Sequence, residues 1–133
     1  MENLKNIRWR QRFENFEKSF LLLKSSVKMD NLSEIERAGM IQFFEMTFEL
    51  SWKLLKDYLE SEGTIVKSPR EAIKMAIHME LIEAGDDWLQ ALSDGNITVH
   101  TYDETKALLV ENMIRDTYFL RLEELYNVFK GKM

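Results

Sequence analysis

The sequence lacks cysteine and uses little proline or glycine, with one proline and five glycines in 133 residues. Without cysteine, disulfide bonds and thiolate metal sites are excluded, and a reducing compartment fits this composition. A phosphate-binding loop needs clustered glycines, whereas the glycines here are isolated from one another, which excludes such a loop. They are Gly39, Gly63, Gly85, Gly95 and Gly131.

Long apolar runs are also missing. A membrane-spanning helix needs about 18 or more consecutive apolar residues, and no stretch of this sequence approaches that length. The first twenty residues, MENLKNIRWRQRFENFEKSF, contain no apolar segment typical of a secretion signal. We therefore predict a cytoplasmic protein that does not associate with a membrane.

Few residues are available for metal or acid–base chemistry. The chain has two histidines, His78 and His100, and no H-E-x-x-H spacing that would bind zinc. We therefore expect no metal and no cofactor. The net charge of −5 argues against indiscriminate binding to nucleic acids, because such binding is driven by basic side chains that displace counterions.

What the sequence does contain is helical periodicity. The first helix is predicted from an apolar seam spaced 4, 3, 4, 3 and 4 residues apart, and Asp30 and Asn31 end it. The motif SEIE predicts a capping box, with Ser33 as the N-cap of a second helix that stops at Gly63. The motif SPRE repeats the signal for a third helix, which we expect to end near Gly85. The seam residues are Trp9, Phe13, Phe16, Phe20, Leu23 and Val27.

A short fourth helix is predicted from about residue 86 to 93, and a last long helix from about Asp103 onward. No segment has the alternating β-branched pattern of a strand. We therefore predict an all-α protein, in which residues 1–133 form a single domain. Its expected architecture is an antiparallel up-and-down four-helix bundle with one extra short helix.

The second helix has more apolar residues than one bundle core can cover. Twelve of the twenty residues from Met40 to Leu59 are apolar, whereas a helix facing one core needs about three or four in every seven. A symmetric homodimer would cover the surplus. Glu45, Glu49 and Lys53 stand among these residues at i, i+4 and i+8. They form either an exposed ladder of ion pairs or part of a polar cleft.

The polar stretch SDGNITVHTYDE, residues 93–104, separates the last two predicted helices. One interpretation is a capped connection, in which Asn96 and Thr98 make turns and Asp103 caps the last helix. The other is a functional site, in which His100 acts as a general acid or base near neutral pH. The residues alone leave both interpretations open.

Four segments in order resemble the nucleotidyltransferase substrate-binding proteins of the HEPN superfamily. They are RWRQRFENFEKSF (8–20), FFEMTFELSWKLLKDYL (43–59), SPREAIKMA (68–76) and NITVHTYDE (96–104). The resemblance implies a small helical protein that forms a homodimer and is encoded beside a minimal nucleotidyltransferase, its cognate partner. In related pairs the HEPN member is a ribonuclease toxin, and the nucleotidyltransferase is an antitoxin that transfers AMP onto a tyrosine.

The resemblance assigns His100 to the family histidine, Tyr102 to the modified tyrosine, and Asn96 to a polar position beside the site. The family's catalytic arginine falls at residues 93–95, which are Ser93, Asp94 and Gly95. An arginine would stabilise the charged transition state of RNA cleavage; without it, a basic residue from elsewhere would have to do so. The candidates for that role are Arg8 and Arg10.

We therefore predict a non-catalytic, dimeric partner subunit of a minimal nucleotidyltransferase, with Tyr102 as the AMP acceptor. The predicted binding residues are Asn96, Thr98, Asp103, Glu45 and Glu49. The alternative is a metal-independent HEPN endoribonuclease toxin that uses His100 and binds nucleotide or RNA.

Overall fold

The computed structural model describes residues 3–98 and 103–133, and the side chains within them other than those of residues 95–98. The described residues form helices and no strand, which confirms the all-α prediction. The helices are α1 (Leu4–Val27), α2 (Glu34–Ser61), α3 (Pro69–His78), α4 (Gly85–Thr98), α5 (Glu104–Met113), a π-helical turn (Ile114–Tyr118) and α6 (Phe119–Lys132). None of these helices is both long and apolar enough to cross a membrane.

The contacts between helices give the bundle its directions. Helix α1 runs antiparallel to α2, since Arg12 near the start of α1 binds Asp57 near the end of α2 at 2.9 Å. Halfway along the same pair, the buried hydroxyls of Ser19 and Thr47 lie 2.6 Å apart. Helix α6 is also antiparallel to α1, because Phe20 late in α1 stacks on Phe119 at the start of α6, with ring centroids 5.4 Å apart, whereas Trp9 early in α1 contacts Phe129 near the end of α6 at 5.6 Å. The predicted up-and-down arrangement is confirmed.

One aromatic-rich core holds these helices together. The apolar seam predicted for α1 lies in it, and five of its six residues are fully buried, from Trp9 to Leu23. Removing this much apolar surface from water is the main stabilising contribution to such a bundle. The core also contains Phe44, Phe48, Leu54, Leu55, Trp88, Ile114, Tyr118, Leu122, Leu125 and Phe129.

The predicted helix starts are confirmed. The Ser33 hydroxyl accepts the Glu36 N–H at 3.1 Å, and the Glu36 carboxylate accepts the Ser33 N–H at 2.8 Å, which completes the capping box. The Ser68 hydroxyl accepts the Glu71 N–H at 3.1 Å. The Glu71 carboxylate, however, accepts the N–H of Lys67, one residue before the position that a capping box uses.

The predicted end of the third helix is wrong. Helix α3 ends at His78, seven residues before Gly85, and Gly85 instead begins α4. The Leu81 N–H bonds the Ala76 carbonyl at 2.8 Å, and the intervening Glu80 adopts a left-handed φ of 60°. This is the Schellman geometry that normally selects glycine. Because glutamate stands there, the sequence carried no stop signal.

The fourth helix is longer than predicted. It continues from residue 93 through Thr98, so Asp94, Asn96 and Thr98 belong to its last turns instead of a connection. The Gln90 amide donates to the Asp94 carboxylate at 3.1 Å, an i, i+4 contact that supports the helix at this point. The predicted connection is thereby shortened from its N-terminal side.

Helix α2 buries only part of its apolar surplus within the chain. Six of the twelve apolar residues are fully buried, among them Met40, Phe44 and Leu54. Phe43, Leu50 and Trp52 are half-buried, and Met46 is 43% exposed. The predicted homodimer, which would cover this remainder, stays a prediction.

Candidate functional site

The candidate site is the junction between α4 and α5. His100 and Tyr102, the predicted functional residues, lie outside the described residues. The structure does describe both sides of this segment, up to Thr98 in α4 and from Asp103 at the start of α5. Asn96 and Thr98 lie in the last turn of α4, but their side chains are outside the description. The described flanks are therefore the observable part of the site.

On the α4 side, Asp94 is held by two hydrogen bonds. One carboxylate oxygen accepts the Gln90 amide at 3.1 Å, and the other accepts the hydroxyl of Tyr118, which lies in the π-helical turn. Tyr118 is buried and stacks on Phe44 of α2, with ring centroids 5.4 Å apart. Asp94 thus links the end of α4 to the centre of the bundle.

The surroundings of Tyr118 keep its phenol protonated. Burial raises the pKa of Tyr118 well above that of a free tyrosine, and the hydrogen bond to Asp94 and the nearby charge of Asp87 raise it further. Removing the proton would place a phenolate beside two carboxylates in a poorly hydrated site. Tyr118 therefore acts as a hydrogen-bond donor at neutral pH and is unsuited to act as a base.

On the α5 side, Asp103 caps the helix. One carboxylate oxygen accepts the backbone N–H of Thr105 at 2.9 Å and that of Lys106 at 3.4 Å. The capping interpretation of Asp103 is therefore confirmed. The remaining N–H groups of the first turn and the helix dipole give this end of α5 a positive potential.

The next residue, Glu104, contacts Arg37 of α2. The Arg37 guanidinium donates to both Glu104 and Glu111, and it also donates to the Leu32 carbonyl at 3.0 Å. Arg37 and Glu111 are both nearly buried, with 11% and 12% of their side chains exposed. The hydrogen bond that Arg37 donates to Glu111 raises the pKa of Arg37, even though burial opposes this change. The start of α5 is thus fixed to the start of α2.

Arg8 and Arg10 do not reach this junction within one chain. Arg8 lies 3.5 Å from Glu60 at the far end of α2, whereas Arg37, which contacts Glu104, lies in the first turns of α2. At a rise of about 1.5 Å per residue, the two positions are roughly 35 Å apart along α2. The expectation that Arg8 or Arg10 replaces the family arginine is wrong for a single chain. Arg37 is a basic residue that does contact the described start of α5, through Glu104.

The two predicted binding residues on α2 differ in their surroundings. Glu49 is exposed, lies 3.2 Å from the Lys53 ammonium, and accepts the Trp52 indole N–H at 2.9 Å. Glu49 and Lys53 therefore form the i, i+4 ion pair of the first interpretation. Glu45, one turn earlier, is half-buried. Among the described side chains, no three histidine, aspartate or glutamate residues form a group that could hold a metal ion.

Two features of the site were not predicted from the sequence: the role of Tyr118 and the ion pair between Arg37 and Glu111. The sequence does not single out Tyr118 from the other residues of the last helix, and nothing in it predicts a π-helical turn there. Arg37 and Glu111 are 74 residues apart in the chain, so no local spacing relates them. The available signal for Tyr118 was general: a buried tyrosine hydroxyl needs a hydrogen-bond partner, but the sequence does not indicate which residue supplies it.

Comparison with known proteins agrees with this architecture. A solved structure from Thermus thermophilus is 33% identical, with a TM-score of 0.77, and the match covers 84% of this chain and 96% of that one. A tri-AMPylated Shewanella oneidensis HEPN toxin, solved in complex with an MNT antitoxin, has a TM-score of 0.74. It is 15% identical, and the match covers 98% of this chain and 99% of that one, so it shows the fold alone.

A curated relative is the "Probable ribonuclease HepT" of Haemophilus influenzae, which is 33% identical over 84 residues. That match covers 59% of this chain and 58% of the relative, so the chain spans less than two-thirds of the relative's length. The family model described as "Nucleotidyltransferase substrate binding protein like" matches residues 11–130. Because this match covers most of the sequence, the chain belongs to the nucleotidyltransferase substrate-binding-protein-like family.

Proposed function

We propose that this protein is a non-catalytic partner subunit of a minimal nucleotidyltransferase and that Tyr102 accepts AMP from ATP. The observation that carries the proposal is the family membership of residues 11–130 together with the sequence His100-Thr101-Tyr102 in that match. The fold is shared with a HEPN toxin that is AMPylated and bound to an MNT antitoxin. Tyr102 corresponds to the tyrosine that the family resemblance assigns to this modification.

The electrostatics at the start of α5 support a phosphate on Tyr102. Tyr102 directly precedes Asp103, the N-cap of α5, and helix N-termini favour anions. The two acidic residues that follow Tyr102 would repel a phosphate. However, one oxygen of Asp103 is engaged with backbone N–H groups, and the charge of Glu104 is offset by the Arg37 guanidinium.

The α4 flank supports a non-catalytic role. Where the family's ribonuclease pattern has an arginine, this chain has Ser93, Asp94 and Gly95. The Asp94 carboxylate is negative, is held by Gln90 and Tyr118, and would oppose the negative charge that develops during RNA cleavage. We therefore place AMP acceptance ahead of ribonuclease activity.

The test is transfer of AMP from Mg-ATP by a cognate minimal nucleotidyltransferase. Intact-mass measurement should show additions of one AMP each, and these should be absent in Tyr102→Phe. Tyr126→Phe is the matched control, because it removes a tyrosine hydroxyl that bonds Glu17 between α1 and α6. Equal modification of the wild-type protein and Tyr102→Phe would contradict the assignment of Tyr102.

A second function is favoured by one observation, the 33% identity to a relative named as a probable ribonuclease. In that case His100 would act as acid or base on RNA without a metal. Pure protein should then cleave RNA, and His100→Ala should abolish the cleavage. His78→Ala is the control, because it removes the other histidine, which lies at the end of α3. If the wild-type protein leaves RNA intact, the ribonuclease function is excluded and the non-catalytic function is the one that stands.

The proposal includes the remaining predicted features. Residues 1–133 would work as one cytoplasmic domain that forms a homodimer through α2. Asn96, Thr98 and Asp103 would contribute to the edge that the nucleotidyltransferase binds, and Glu45 and Glu49 would contribute from α2. The apolar residues that α2 leaves half-buried or exposed support the homodimer.

A further inference from the structure

A π-helical turn interrupts the last long helix directly opposite the end of α4. In it the Phe119 N–H bonds the carbonyl of Ile114, five residues earlier, instead of that of Arg115. Such turns insert one extra residue into a helix, are rare, and occur frequently at functional sites. Both ends of this turn, Ile114 and Tyr118, point into the core and are buried. The turn therefore aims Tyr118 inward, where its hydroxyl meets Asp94.

The contact between Tyr118 and Asp94 is held from both sides. The Tyr118 ring is fixed by stacking on Phe44, with an interplanar angle of 15°. Both oxygens of Asp94 have donors, since Gln90 occupies one and Tyr118 the other. A carboxylate near the C-terminal end of a helix is destabilised by the helix dipole. The two hydrogen bonds to Asp94 offset this destabilisation, which a neutral residue at the same position would not experience.

Asp94 also lies close to the candidate site in the chain. It precedes His100 by six residues and Tyr102 by eight, and it is the last residue of α4 whose side chain the structure describes. The Tyr118 phenol stays protonated at neutral pH because burial and Asp94 raise its pKa. The phenol is therefore available at neutral pH as the donor of the hydrogen bond to Asp94.

We propose that Tyr118 and Asp94 are a positioning pair: their hydrogen bond fixes the end of α4 against the π-helical turn and thereby orients the segment that carries His100 and Tyr102. The inference rests on the proposed AMP transfer, which it deepens by assigning two residues that would act through Tyr102. Neither residue reacts. Small errors in the position of a reacting group can lower a rate about 100-fold, so a fixed helix end is advantageous.

The chain supplies a matched control for this pair. The Tyr126 hydroxyl also donates to a carboxylate, that of Glu17, at 2.7 Å, and its ring also stacks in the core, 4.8 Å from Phe20. This second pair joins α1 to α6 and does not involve α4. Tyr118→Phe and Tyr126→Phe each remove one hydroxyl and leave the ring in place. If Tyr118 only stabilised the bundle, neither variant would change the rate of AMP addition or the hydrogen exchange of residues 95–102 in the folded protein.

The first experiment measures the single-turnover rate of AMP addition by the cognate nucleotidyltransferase with Mg-ATP, and separately the Kd of the two proteins. We expect Tyr118→Phe to lower the rate about 10-fold or more with an unchanged Kd, and Tyr126→Phe to keep the wild-type rate. Asp94→Asn retains an acceptor for Tyr118 and should recover most of the rate that Asp94→Leu loses. Equal rates for Tyr118→Phe and Tyr126→Phe would overturn the proposal.

The second experiment needs no partner and uses the isolated protein. Hydrogen exchange of the peptide covering residues 95–102 should be faster in Tyr118→Phe than in the wild-type protein, and unchanged in Tyr126→Phe. The two experiments separate the two hypotheses. If the wild-type protein accepts no AMP, the proposed function fails, while the exchange rates still decide the role of Tyr118. Unchanged exchange in Tyr118→Phe would refute the positioning role.

Discussion

Arg37 of α2 and Glu111 of α5 form a nearly buried ion pair, 2.7 Å apart, and the second oxygen of Glu111 accepts Arg115 at 2.8 Å. Arg115 in turn donates to the carbonyls of Val27 and Met29 at the end of α1, each at 2.7 Å. One carboxylate therefore connects α1, α2 and α5. Since Arg37 also binds Glu104, this network fixes the side of the candidate site that follows Tyr102.

The network predicts a pH-dependent loss of stability in Glu111→Gln. Burial alone would raise the pKa of Glu111, but the hydrogen bonds from Arg37 and Arg115 lower it below that of a free glutamate. A lowered pKa in the folded state gives stability that is present above the unfolded pKa of about 4.3 and is lost as the pH falls through the folded pKa. We expect Glu111→Gln to lower the free energy of unfolding by about 1–3 kcal/mol at pH 7.

Urea unfolding at pH 7 and at pH 3 measures this effect, and the difference between variant and wild type should shrink at the lower pH. Glu123→Gln is the control, because Glu123 lies 3.9 Å from Lys24 in a far more exposed pair. Exposed pairs contribute about 0–1 kcal/mol, so this variant should be close to wild type. A constant difference for Glu111→Gln across the pH range would contradict the linkage.

The end of α3 predicts a stabilising substitution. Glu80 has a left-handed φ of 60°, a conformation that costs a residue with a Cβ roughly 1–2 kcal/mol. Glycine avoids this cost, so we expect Glu80→Gly to raise the free energy of unfolding by about 1 kcal/mol. Thermal and urea unfolding would measure the change.

Helix α2 supplies the reverse experiment. Gly63 occupies the same position after α2, with φ of 92°, and the Thr64 N–H bonds the Leu59 carbonyl at 2.9 Å. Gly63→Ala should therefore destabilise the protein by about 1 kcal/mol. Glu83→Gly is a control for the composition change, since Glu83 is exposed and outside the left-handed region. Equal effects of Glu80→Gly and Glu83→Gly would exclude relief of backbone strain.

These two helix ends show how far the sequence could predict the fold. Where a local signal exists, such as Ser33 with Glu36 or Gly63 after α2, the predicted boundary agrees with the structure. The end of α3 depends on Glu80 in a left-handed conformation. Glutamate is not a residue type that indicates a helix end, so the predicted helix was seven residues too long. Local chemistry predicts boundaries only when the residue that performs the task is the usual one.

The candidate site was predictable in part for a different reason. His100, Tyr102 and the residues where the family has an arginine all lie in one stretch of the chain, so the family resemblance could assign them without knowledge of the fold. The residues that hold the flanks are remote in sequence: Asp94 and Tyr118 are 24 residues apart, and Arg37 and Glu104 are 67 apart. Such pairs depend on how the helices pack. Periodicity predicts which face of a helix is buried, but it does not predict which residues of another helix that face contacts.

The missing arginine yields a gain-of-function prediction. If His100 retains the geometry for RNA cleavage, Gly95→Arg would restore the charge that stabilises the transition state. Contacts of this kind are worth about 10²–10³ in rate, so cleavage of labelled RNA should rise by that order. Gly131→Arg adds the same charge at an exposed position where a side chain has open space, and it should leave RNA intact. No cleavage by Gly95→Arg would mean that the site lacks more than one residue.

The apolar surface of α2 predicts a homodimer. Phe43, Met46 and Leu50 recur at i, i+3 and i+7, so they share one face of the helix. Two of them are half-buried, and Met46 is 43% exposed. Contiguous apolar surface of this kind marks interaction sites. In a symmetric dimer the same face of each subunit would pack against the other, so one interface would cover both copies of this surface. Sedimentation at micromolar concentration should therefore give about twice the 15.8 kDa chain mass.

A charge placed in this face tests which surface forms the dimer. Met46→Lys should shift the sedimentation toward the monomer, because a buried unpaired ammonium is strongly disfavoured at an interface. Leu21→Lys is the matched control, since Leu21 is 47% exposed on α1 and lies outside α2. It should sediment as the wild-type protein does. A monomeric wild-type protein would contradict the predicted homodimer. If Leu21→Lys dissociates the dimer and Met46→Lys does not, the interface is formed by α1 and not by α2.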